Sequence, residues 1–284
     1  MNIPPFWTRL KRDGITATGW SFTSAAEAEE RAVENCGKIA QQLAAEGFNA
    51  RGNLYYSNRP VREQIIREFR DAAGEQSAVI TRNAYGSFVL NAARMLFVDV
   101  DLPKPPPPPN PLVEIVKGWL GKKGDPPPDG ATVETEIITH ARVWAHEHAP
   151  WSWRVYRTKA GLRFLAVHSE FALDSPLVRG AFDAIGADPL YRHLCTMQKC
   201  FRARLTPKAW RCDYPAMHVV WPFIDEAAEA KFKEWEAGYL ARCRDWRTCQ
   251  LLDTVGNNAA DPHLAELIAV HDEITRIDAD LPLA

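Results

Sequence analysis

The chain has 284 residues, of which 46% are hydrophobic and 25% are charged, and its net charge is −2 at pH 7. These values are ordinary for a globular protein, and no apolar run approaches the ~20 residues that a membrane-spanning helix needs. Because the first residues also lack the basic and apolar regions of a signal peptide, we expect a cytoplasmic protein with no membrane partner. Six cysteines are too few for a disulfide scaffold in a chain of this length.

Residues 1–77 are predicted to form an N-terminal α/β extension. A capping pattern followed by an alanine-rich stretch predicts a helix over residues 25–45. Residues 54–56 are predicted to form a short strand. Apolar residues at helical spacing then predict a second helix over residues 61–73, which a glycine ends.

The most informative motif closes a series of three predicted strands, over residues 78–81, 87–90 and 94–100. The third strand runs into Asp99 and Asp101, and alternation along a strand places these two side chains on one face. Adjacent carboxylates repel each other and are tolerated where a cation or a basic side chain neutralises them. Their oxygens suit Mg²⁺ or Mn²⁺, which also bind phosphates, so the pair predicts metal-assisted phosphoryl chemistry. The alternative is a strand that simply runs out into solvent at Asp101.

Residues 102–130 are predicted to be a proline-rich insertion. They include consecutive prolines at 105–109 and again at 126–128, and proline at this density cannot join a sheet or a helix interior. We therefore expect a polyproline II spacer with one or two helical turns at 112–120. It is interpreted as an insertion in one domain, because the strands after it look like partners for those before it. Whether it binds a protein partner is left open.

Helices and strands continue through the rest of the core. One apolar stripe predicts a helix over residues 132–148, and a turn at Gly161 is typical of a tight hairpin. The hairpin strands, two helices and two further strands are predicted over residues 153–158, 162–168, 176–185, 189–199, 201–205 and 218–221. The C-terminal region, residues 223–284, is predicted to be helical, with helices over 226–252 and 263–277.

Two segments without acidic residues are candidates for binding an anion, and the first is residues 151–168. Its cations cluster around the Gly161 turn, and we select Arg157, Lys159 and Arg163 as candidate site residues. A bend with guanidinium groups and exposed backbone N–H groups can bind phosphate. The alternative is a solvated edge hairpin whose charges discourage aggregation.

The second acid-free segment, residues 190–212, offers Arg202, Arg204 and Lys208. On a strand the two arginines lie on one face, and the turn that follows brings Lys208 beside them. Arginine binds phosphate oxygens with two parallel hydrogen bonds, and Trp210 offers a surface on which a base can stack. The alternative is that the arginines pair with structural acids and the aromatic residues lie in the core.

Together these pieces resemble the catalytic core of the archaeo-eukaryotic primases, the primase-polymerase superfamily. Phe97-Val-Asp99-Val-Asp101 matches its apolar strand ending in D-x-D. Thr158-Lys-Ala-Gly161-Leu-Arg163 is similar to its glycine-containing hairpin, with arginine where the family has its nucleotide-binding histidine. Arg202-Ala-Arg204-Leu-Thr-Pro207-Lys208 is similar to its R-x-P-G-x-x-x-K turn, and Trp221-Pro-Phe-Ile-Asp225 to its further acid. The resemblance spans about residues 94 to 225.

The resemblance implies two divalent ions, Mg²⁺ or Mn²⁺, bound by Asp99, Asp101 and Asp225. It also implies a nucleoside triphosphate in contact with Arg163 and nearby cations, with a 3′-hydroxyl attacking the α-phosphate. The exchange of the family histidine for Arg163 leaves open a protein that binds nucleotide or nucleic acid without extending a primer.

We therefore expect an α/β (α+β) fold with a mixed, mostly antiparallel, RRM-like sheet and flanking helices. Its core spans residues 78–222, with the insertion inside it and the helical region as a C-terminal cap. The expected function is metal-dependent nucleotidyl or phosphoryl transfer on nucleotides, DNA or RNA.

Three alternatives remain open. One is a non-enzymatic nucleic-acid-binding protein that stacks bases on Tyr156, Phe201 and Trp210, and another is a metal-dependent nuclease or phosphatase. In the third, Asp99 and Asp101 pair with Arg163 and Arg204 in a purely structural network.

Overall fold

The structure is a computed structural model that describes residues 1–46, 60–103, 130–257 and 259–284. The predicted strand at 54–56 and nearly all of the proline-rich insertion, including its predicted helical turns, lie outside these residues. In the described ranges, no helix has both the length and the apolar character needed to cross a membrane.

The described residues form an α+β protein, which confirms the expected fold class. The strands are β1 (Phe6–Arg12), β2 (Ile15–Ser21), β3 (Gln64–Arg70), β4 (Gln76–Arg82), β5 (Phe88–Ala92), β6 (Phe97–Asp101), β7 (Trp153–Thr158), β8 (Gly161–Ala166), β9 (Phe201–Arg204) and β10 (Cys249–Val255). The helices are α1 (Ala25–Glu46), α2 (Gly130–Glu147), α3 (Pro176–Ile185), α4 (Pro189–Gln198), α5 (Glu226–Cys243) and α6 (Ala265–Thr275).

Two four-stranded antiparallel sheets position the candidate site. The first sheet has the order β10-β7-β8-β6, the second has the order β3-β4-β5-β9, and β1 and β2 form a separate hairpin. The edge strands β6 and β9 pack against each other, and one hydrophobic core continues through both sheets. The structure therefore has two larger sheets in place of the single sheet expected, because alternation reveals a strand but not its partner.

Helices α3 and α4 begin and end almost where the sequence predicts. Each starts with a proline after a capping side chain, Ser175 or Asp188, that accepts a backbone hydrogen bond. Gly186 ends α3 with a φ of 80°, a left-handed conformation that glycine adopts at no steric cost.

The predicted helix over residues 61–73 is wrong, because β3 occupies most of that range and pairs with β4. Of its seven residues only Phe69 is buried. The apolar residues of this stretch fit a helical spacing, but too few of them face a core to hold a helix in place. Hydrogen bonding to the neighbouring strand therefore decides its conformation.

The predicted C-terminal helix over residues 226–252 is correct only up to Cys243, where α5 ends. The chain then forms β10, which pairs with β7 along the edge of the first sheet. The weak strand predicted at 218–221 has no regular secondary structure, and the β1–β2 hairpin was not predicted.

Candidate functional site

The predicted acid pair lies on β6, the edge strand of the first sheet. Asp99 and Asp101 lie on one face of the strand, whereas Val98 and Val100 are buried on the other, as the alternation predicts. Asp101 is exposed, and the Asp99 side chain keeps 33% of its accessible surface. Gly161 is the register partner of Asp101, and a Cβ atom there would lie 1.9 Å from the Val100 carbonyl oxygen. Only glycine therefore lets the hairpin approach β6 this closely.

Arg163 stands opposite Asp99 on β8 and binds it through two hydrogen bonds. Its Nε and Nη2 atoms donate to Oδ1 and Oδ2 of Asp99 at 2.7 and 3.0 Å. Burial lowers the pKa of the Arg163 guanidinium, but the charge of Asp99 outweighs this effect, and the net shift is upward. The Nη1 atom donates to the carbonyl oxygen of Arg204 at 3.0 Å. These contacts favour a structural role for Arg163 over the triphosphate contact that the resemblance implies.

A buried network continues behind Arg163 to residues that sequence reasoning missed. Burial lowers the pKa of His271, so its ring is neutral. The Asp272 carboxylate can only accept, so we assign the His271 proton to Nδ1, which lies 2.9 Å from Oδ1 of Asp272. The ring Nε2 then accepts from Arg163 Nη1 at 3.4 Å. Asp272 also accepts from the Tyr156 hydroxyl at 2.9 Å and pairs with Arg154 at 2.6 Å.

A third carboxylate, Asp188, acts on the acid pair from the start of α4. Its backbone N–H donates to the Asp99 carbonyl oxygen at 2.9 Å, and its side chain accepts from the Tyr191 N–H at 2.8 Å. Burial, and then the charges of Asp188 and Asp99, raise the pKa of Asp101 above its ordinary value. We call Asp99, Asp101 and Asp188 the acid group.

Asp225, the third metal ligand that the resemblance implies, is the N-cap of α5. Its Oδ1 accepts from the Ala228 backbone N–H at 2.7 Å. In the described part of the chain, Asp188 and Asp99 are the acids whose charges raise the pKa of Asp101, and Asp225 is not among them. In the sequence, Asp188 precedes a proline at the predicted start of a helix. This pattern predicts a helix N-cap, but it does not indicate whether the aspartate also belongs to a binding site.

Three cations face the acid group from β9 and from the turn after it: Arg204, Lys208 and Arg211. Burial, and then the charges of Arg163 and Arg211, lower the pKa of Arg204 to about 10. Burial also lowers the pKa of Lys208, and the charges of Arg204 and Arg211 add to the shift. The buried atoms Arg204 Nε and Arg211 Nη1 lack a hydrogen-bond partner within the part of the chain that the structure describes. We call Arg204, Lys208 and Arg211 the cation group; the sequence had singled out the first two.

The two groups act on each other without forming ion pairs. Arg211 and Arg204 stabilise the charged form of Asp101, and Asp101 in turn stabilises the charged form of Lys208. Nevertheless, across residues 1–46, 60–103, 130–257 and 259–284 no salt bridge joins a member of one group to a member of the other. The charges of the two groups therefore influence each other's pKa values, although no salt bridge links the groups in the described ranges.

The other predicted phosphate ligands have partners of their own. Arg202 donates to the buried carboxylate of Glu63 at 2.7 Å, and Arg157 pairs with Glu134 on α2. The exposed Lys159 donates to a backbone carbonyl near the C-terminus at 3.0 Å. For Arg202, this contact supports the alternative of pairing with a structural acid, and Arg157 also has an acidic partner.

An exposed aromatic pair lies beside the cation group. The Trp210 side chain is 50% exposed, its ring centroid lies 5.2 Å from that of Tyr85, and the Lys208 Nζ atom lies 5.4 and 5.5 Å from the two centroids. Trp210 is therefore outside the core and accessible to a ligand. Tyr156 and Phe201 are fully buried, so the hypothesis that they stack on bases is wrong.

Carboxylate oxygens of the acid group are the kind of ligand that Mg²⁺ and Mn²⁺ prefer. However, among the residues that the structure describes, no three His, Cys, Asp or Glu side chains are grouped so that they could hold a metal ion by themselves. Any ion bound here would have to complete its coordination with water or with ligand oxygens.

Comparisons with models of protein families, with curated proteins and with solved structures find no match to this chain.

Proposed function

We propose that the acid group and the cation group together bind a phosphate-bearing nucleotide or nucleic acid with Mg²⁺ or Mn²⁺, and that phosphoryl or nucleotidyl transfer takes place there. The observation that carries the proposal is the opposition of three acids and three cations where β6 meets β9, with no ion pair between them among the described residues.

The acid group favours the binding of a divalent ion, because the charge of each carboxylate disfavours the charge of its neighbours. The raised pKa of Asp101 follows from burial and from the charges of Asp188 and Asp99, and a cation beside these carboxylates would reverse the shift. Mg²⁺ is commonly held by one or two carboxylates together with phosphate oxygens and water. An incomplete set of protein ligands therefore fits an ion that arrives with a phosphate. Asp101 is the member best placed to serve, because Arg163 already occupies both oxygens of Asp99.

The cation group favours the binding of a phosphate, because its positive charges are close together and partly buried. Arg204 has a lowered pKa and a buried Nε without a partner, and an anion would relieve both costs. A guanidinium binds two phosphate oxygens at once, and Lys208 and Arg211 can contact the remaining oxygens.

Different residues of the chain would then have different roles in the transfer. A bound divalent ion would supply charge neutralisation and orientation of the phosphate. The cation group would stabilise the charge that develops on the transferred phosphoryl oxygens. Arg163 and the network behind it would act as positioning residues, because they fix Asp99 and the end of β6 next to the ligand.

A second candidate is a non-catalytic binding protein, and the Asp99–Arg163 pair favours it. Both oxygens of Asp99 accept from the nearly fully buried Arg163, which leaves this carboxylate less able to serve as a metal ligand. In this case the cation group and Trp210 would bind a nucleic-acid strand without any metal.

Calorimetry with Mn²⁺ and fluorescence binding of a labelled nucleoside triphosphate, with and without Mn²⁺, test the proposal. We expect Mn²⁺-dependent triphosphate binding in the wild type and at least about a tenfold loss in Asp101→Asn, the size expected for one charge-assisted contact. Asp183→Asn is the matched control, because this exposed aspartate pairs with Arg192 on the surface.

Equal Mn²⁺ uptake by wild type and Asp101→Asn would overturn the metal site. Triphosphate binding that survives removal of metal, and is lost in Arg204→Gln, would select the second candidate. Absence of any triphosphate binding by the wild type, with or without Mn²⁺, would refute both.

A further inference from the structure

Two exposed aromatic side chains, Tyr85 and Trp210, meet on the surface beside the cation group. Tyr85 is 39% exposed and Trp210 is 50% exposed, and their ring centroids lie 5.2 Å apart with the ring planes at 88°. Of the aromatic contacts between described residues, this is the one in which both side chains are exposed. Single exposed apolar side chains are ordinary, whereas contiguous apolar surface with a polar rim is typical of an interaction site.

Pairing between β5 and β9 brings the two rings together. Tyr85 lies in the turn between β4 and β5, and Trp210 lies in the 3-10 helix Ala209–Arg211 that follows β9. The pairing continues beyond the ends of these strands and fixes the segments that carry the rings. Three further hydrogen bonds, each 2.8 Å long, join these segments: the Leu205 N–H to the Phe88 carbonyl oxygen, the Phe88 N–H to the Thr206 hydroxyl, and the Ser87 hydroxyl to the Pro207 carbonyl oxygen.

Contacts with Tyr85 and Lys208 hold the Trp210 ring in one orientation. The edge-to-face arrangement of the two rings is favourable for an aromatic pair. The Lys208 Nζ atom adds a cation–π contact, 5.4 Å from the Trp210 centroid and 5.5 Å from that of Tyr85. Although both side chains lie against it, Trp210 keeps half of its surface accessible. An indole that is oriented before a ligand arrives loses little conformational entropy on binding.

The cations beside the rings indicate which ligand this surface fits. Lys208 contacts both rings and belongs to the cation group, and Arg211 follows Trp210 directly in the chain. A ligand that uses both features has a phosphate for the cations and an attached planar ring for the indole, as a nucleotide does. The bases of a duplex are paired and stacked on one another, so an unpaired base is the one that can stack on an aromatic side chain.

We propose that Tyr85 and Trp210 form a base-binding platform, and that the substrate of the site is a single-stranded nucleic acid. One unpaired base stacks on the accessible surface of Trp210, and the phosphates next to it bind the cation group. Tyr85 is a positioning residue, because it holds the Trp210 ring. This inference rests on the proposed function, since it takes the cation group as the phosphate site.

The test measures binding of labelled single strands to the full-length chain by fluorescence anisotropy without metal. Two strands of equal length are compared, one intact and one in which stable abasic residues replace all bases. We expect the wild type to bind the intact strand about tenfold more tightly, the size expected for one base stacked on an aromatic ring. Trp210→Ala should lose this advantage and should bind the abasic strand as tightly as the wild type does.

Two matched variants and the salt dependence separate stacking from other effects. Trp210→Phe keeps an aromatic ring and should retain most of the advantage of the intact strand. Phe22→Ala removes an aromatic side chain that is 49% exposed and packs against Trp20, and it should bind both strands as the wild type does. Trp210→Ala should leave the slope of log K against log salt unchanged, because the slope comes from the phosphate contacts.

Equal affinity of the wild type and Trp210→Ala for the intact strand would overturn the inference. Equal losses for the intact and the abasic strand, or a shallower salt slope, would also overturn it, because Trp210 would then act through Lys208 and not on a base. A duplex of the same sequence that binds as tightly as the single strand would contradict the choice of substrate. The comparison of strands in the wild type does not depend on how any variant folds.

Binding of a nucleoside triphosphate with Mn²⁺ distinguishes this inference from the proposed function. A wild-type chain that binds the triphosphate but prefers neither single strand would refute the base-binding platform and leave the proposed function standing. A chain that binds neither the triphosphate nor a strand would refute both.

Discussion

Asp99 and Asp101 are two residues apart on one face of β6, but their surroundings differ and give them different roles. Both carboxylate oxygens of Asp99 accept hydrogen bonds from the buried Arg163, which hold this side chain to the protein interior. Asp101 is exposed, but the surrounding protein partly desolvates its carboxylate, and this desolvation and the acidic neighbours disfavour its charge. At the scale of single residues, Asp99 therefore anchors the site and Asp101 is the carboxylate available to a ligand.

Arg163→Met should destabilise the fold, because it leaves the partly buried carboxylate of Asp99 without its partner. We expect a loss of about 3 kcal/mol in the free energy of unfolding. This value is at the lower end of the range for breaking a buried ion pair, because Asp99 retains some contact with water. Urea unfolding of wild type and variant measures it. The control is Arg192→Met in the exposed pair with Asp183, for which we expect less than about 1 kcal/mol. Equal effects of the two variants would contradict a structural role for Arg163.

Asp101→Asn should stabilise the protein at neutral pH while weakening metal binding. The pKa of Asp101 is raised in the folded state above its ordinary value of 3.8, so its protonated form favours folding. This contribution is fully present below pH 3.8 and is lost as the pH rises through the folded-state pKa. Asparagine mimics the protonated form and should therefore raise Tm at pH 7. The gain should shrink to nothing below pH 3.8, which thermal unfolding across the pH range can measure; a gain independent of pH would contradict this account.

At the scale of elements, the site depends on how the edge strands and the start of α4 converge. The β6 and β9 edges pack together, and α4 presents Asp188 to the acid group while using the same side chain as its cap. A single aspartate thus serves both the helix and the electrostatics of the site. Substitutions at this position can separate the two contributions.

Asp188→Asn keeps a capping oxygen and removes the charge, whereas Asp188→Ala removes both. We expect Asp188→Ala to cost about 1 kcal/mol of stability, as for the loss of other N-caps, and Asp188→Asn to cost much less. Both variants should lower the pKa of Asp101 toward its ordinary value, because Asp188 is the largest charge that raises it. Urea unfolding and titration of Asp101 by NMR measure the two effects, and an unchanged Asp101 pKa in Asp188→Asn would remove Asp188 from the acid group.

At the scale of the whole molecule, the net charge is only −2, yet the acid-free segment 190–212 supplies all three members of the cation group. Much of the positive charge is paired elsewhere, as for Arg202 and Arg157. The cation group differs, since none of its three members is neutralised by an ion pair within the described ranges. The strength of strand binding should therefore follow from these three charges and not from the net charge.

Binding of a labelled single-stranded oligonucleotide, followed by fluorescence anisotropy without metal, should weaken as salt increases. Three phosphate contacts give a slope of about −2 for log K against log salt, since each contact to a single strand contributes about −0.7. Lys208→Gln should make the slope shallower by about 0.7, whereas Arg192→Gln on the surface of α4 should leave it unchanged. A wild-type slope near zero would argue against strand binding by the cation group.

Several local elements and part of the site follow directly from the sequence. Helix α3 has the bounds that its caps predict, and β6 and the Gly161 hairpin form where alternation and turn chemistry place them. The alternation along β6 also correctly put Asp99 and Asp101 on one face. These features depend on neighbours within a few residues, so the sequence carries them directly.

Which charges meet depends on contacts between elements that are far apart in the chain. The tertiary structure placed Arg163 opposite Asp99, brought Asp188 and His271 to the site from other elements, and paired Arg202 with Glu63. Tertiary contacts also make residues 64–70 a strand. Backbone hydrogen bonds to β4 stabilise the strand more than the helical spacing of the apolar residues stabilises a helix. A pattern of charge or hydrophobicity says what a side chain can pair with, but the partner is chosen by strand register and packing between residues far apart in the chain.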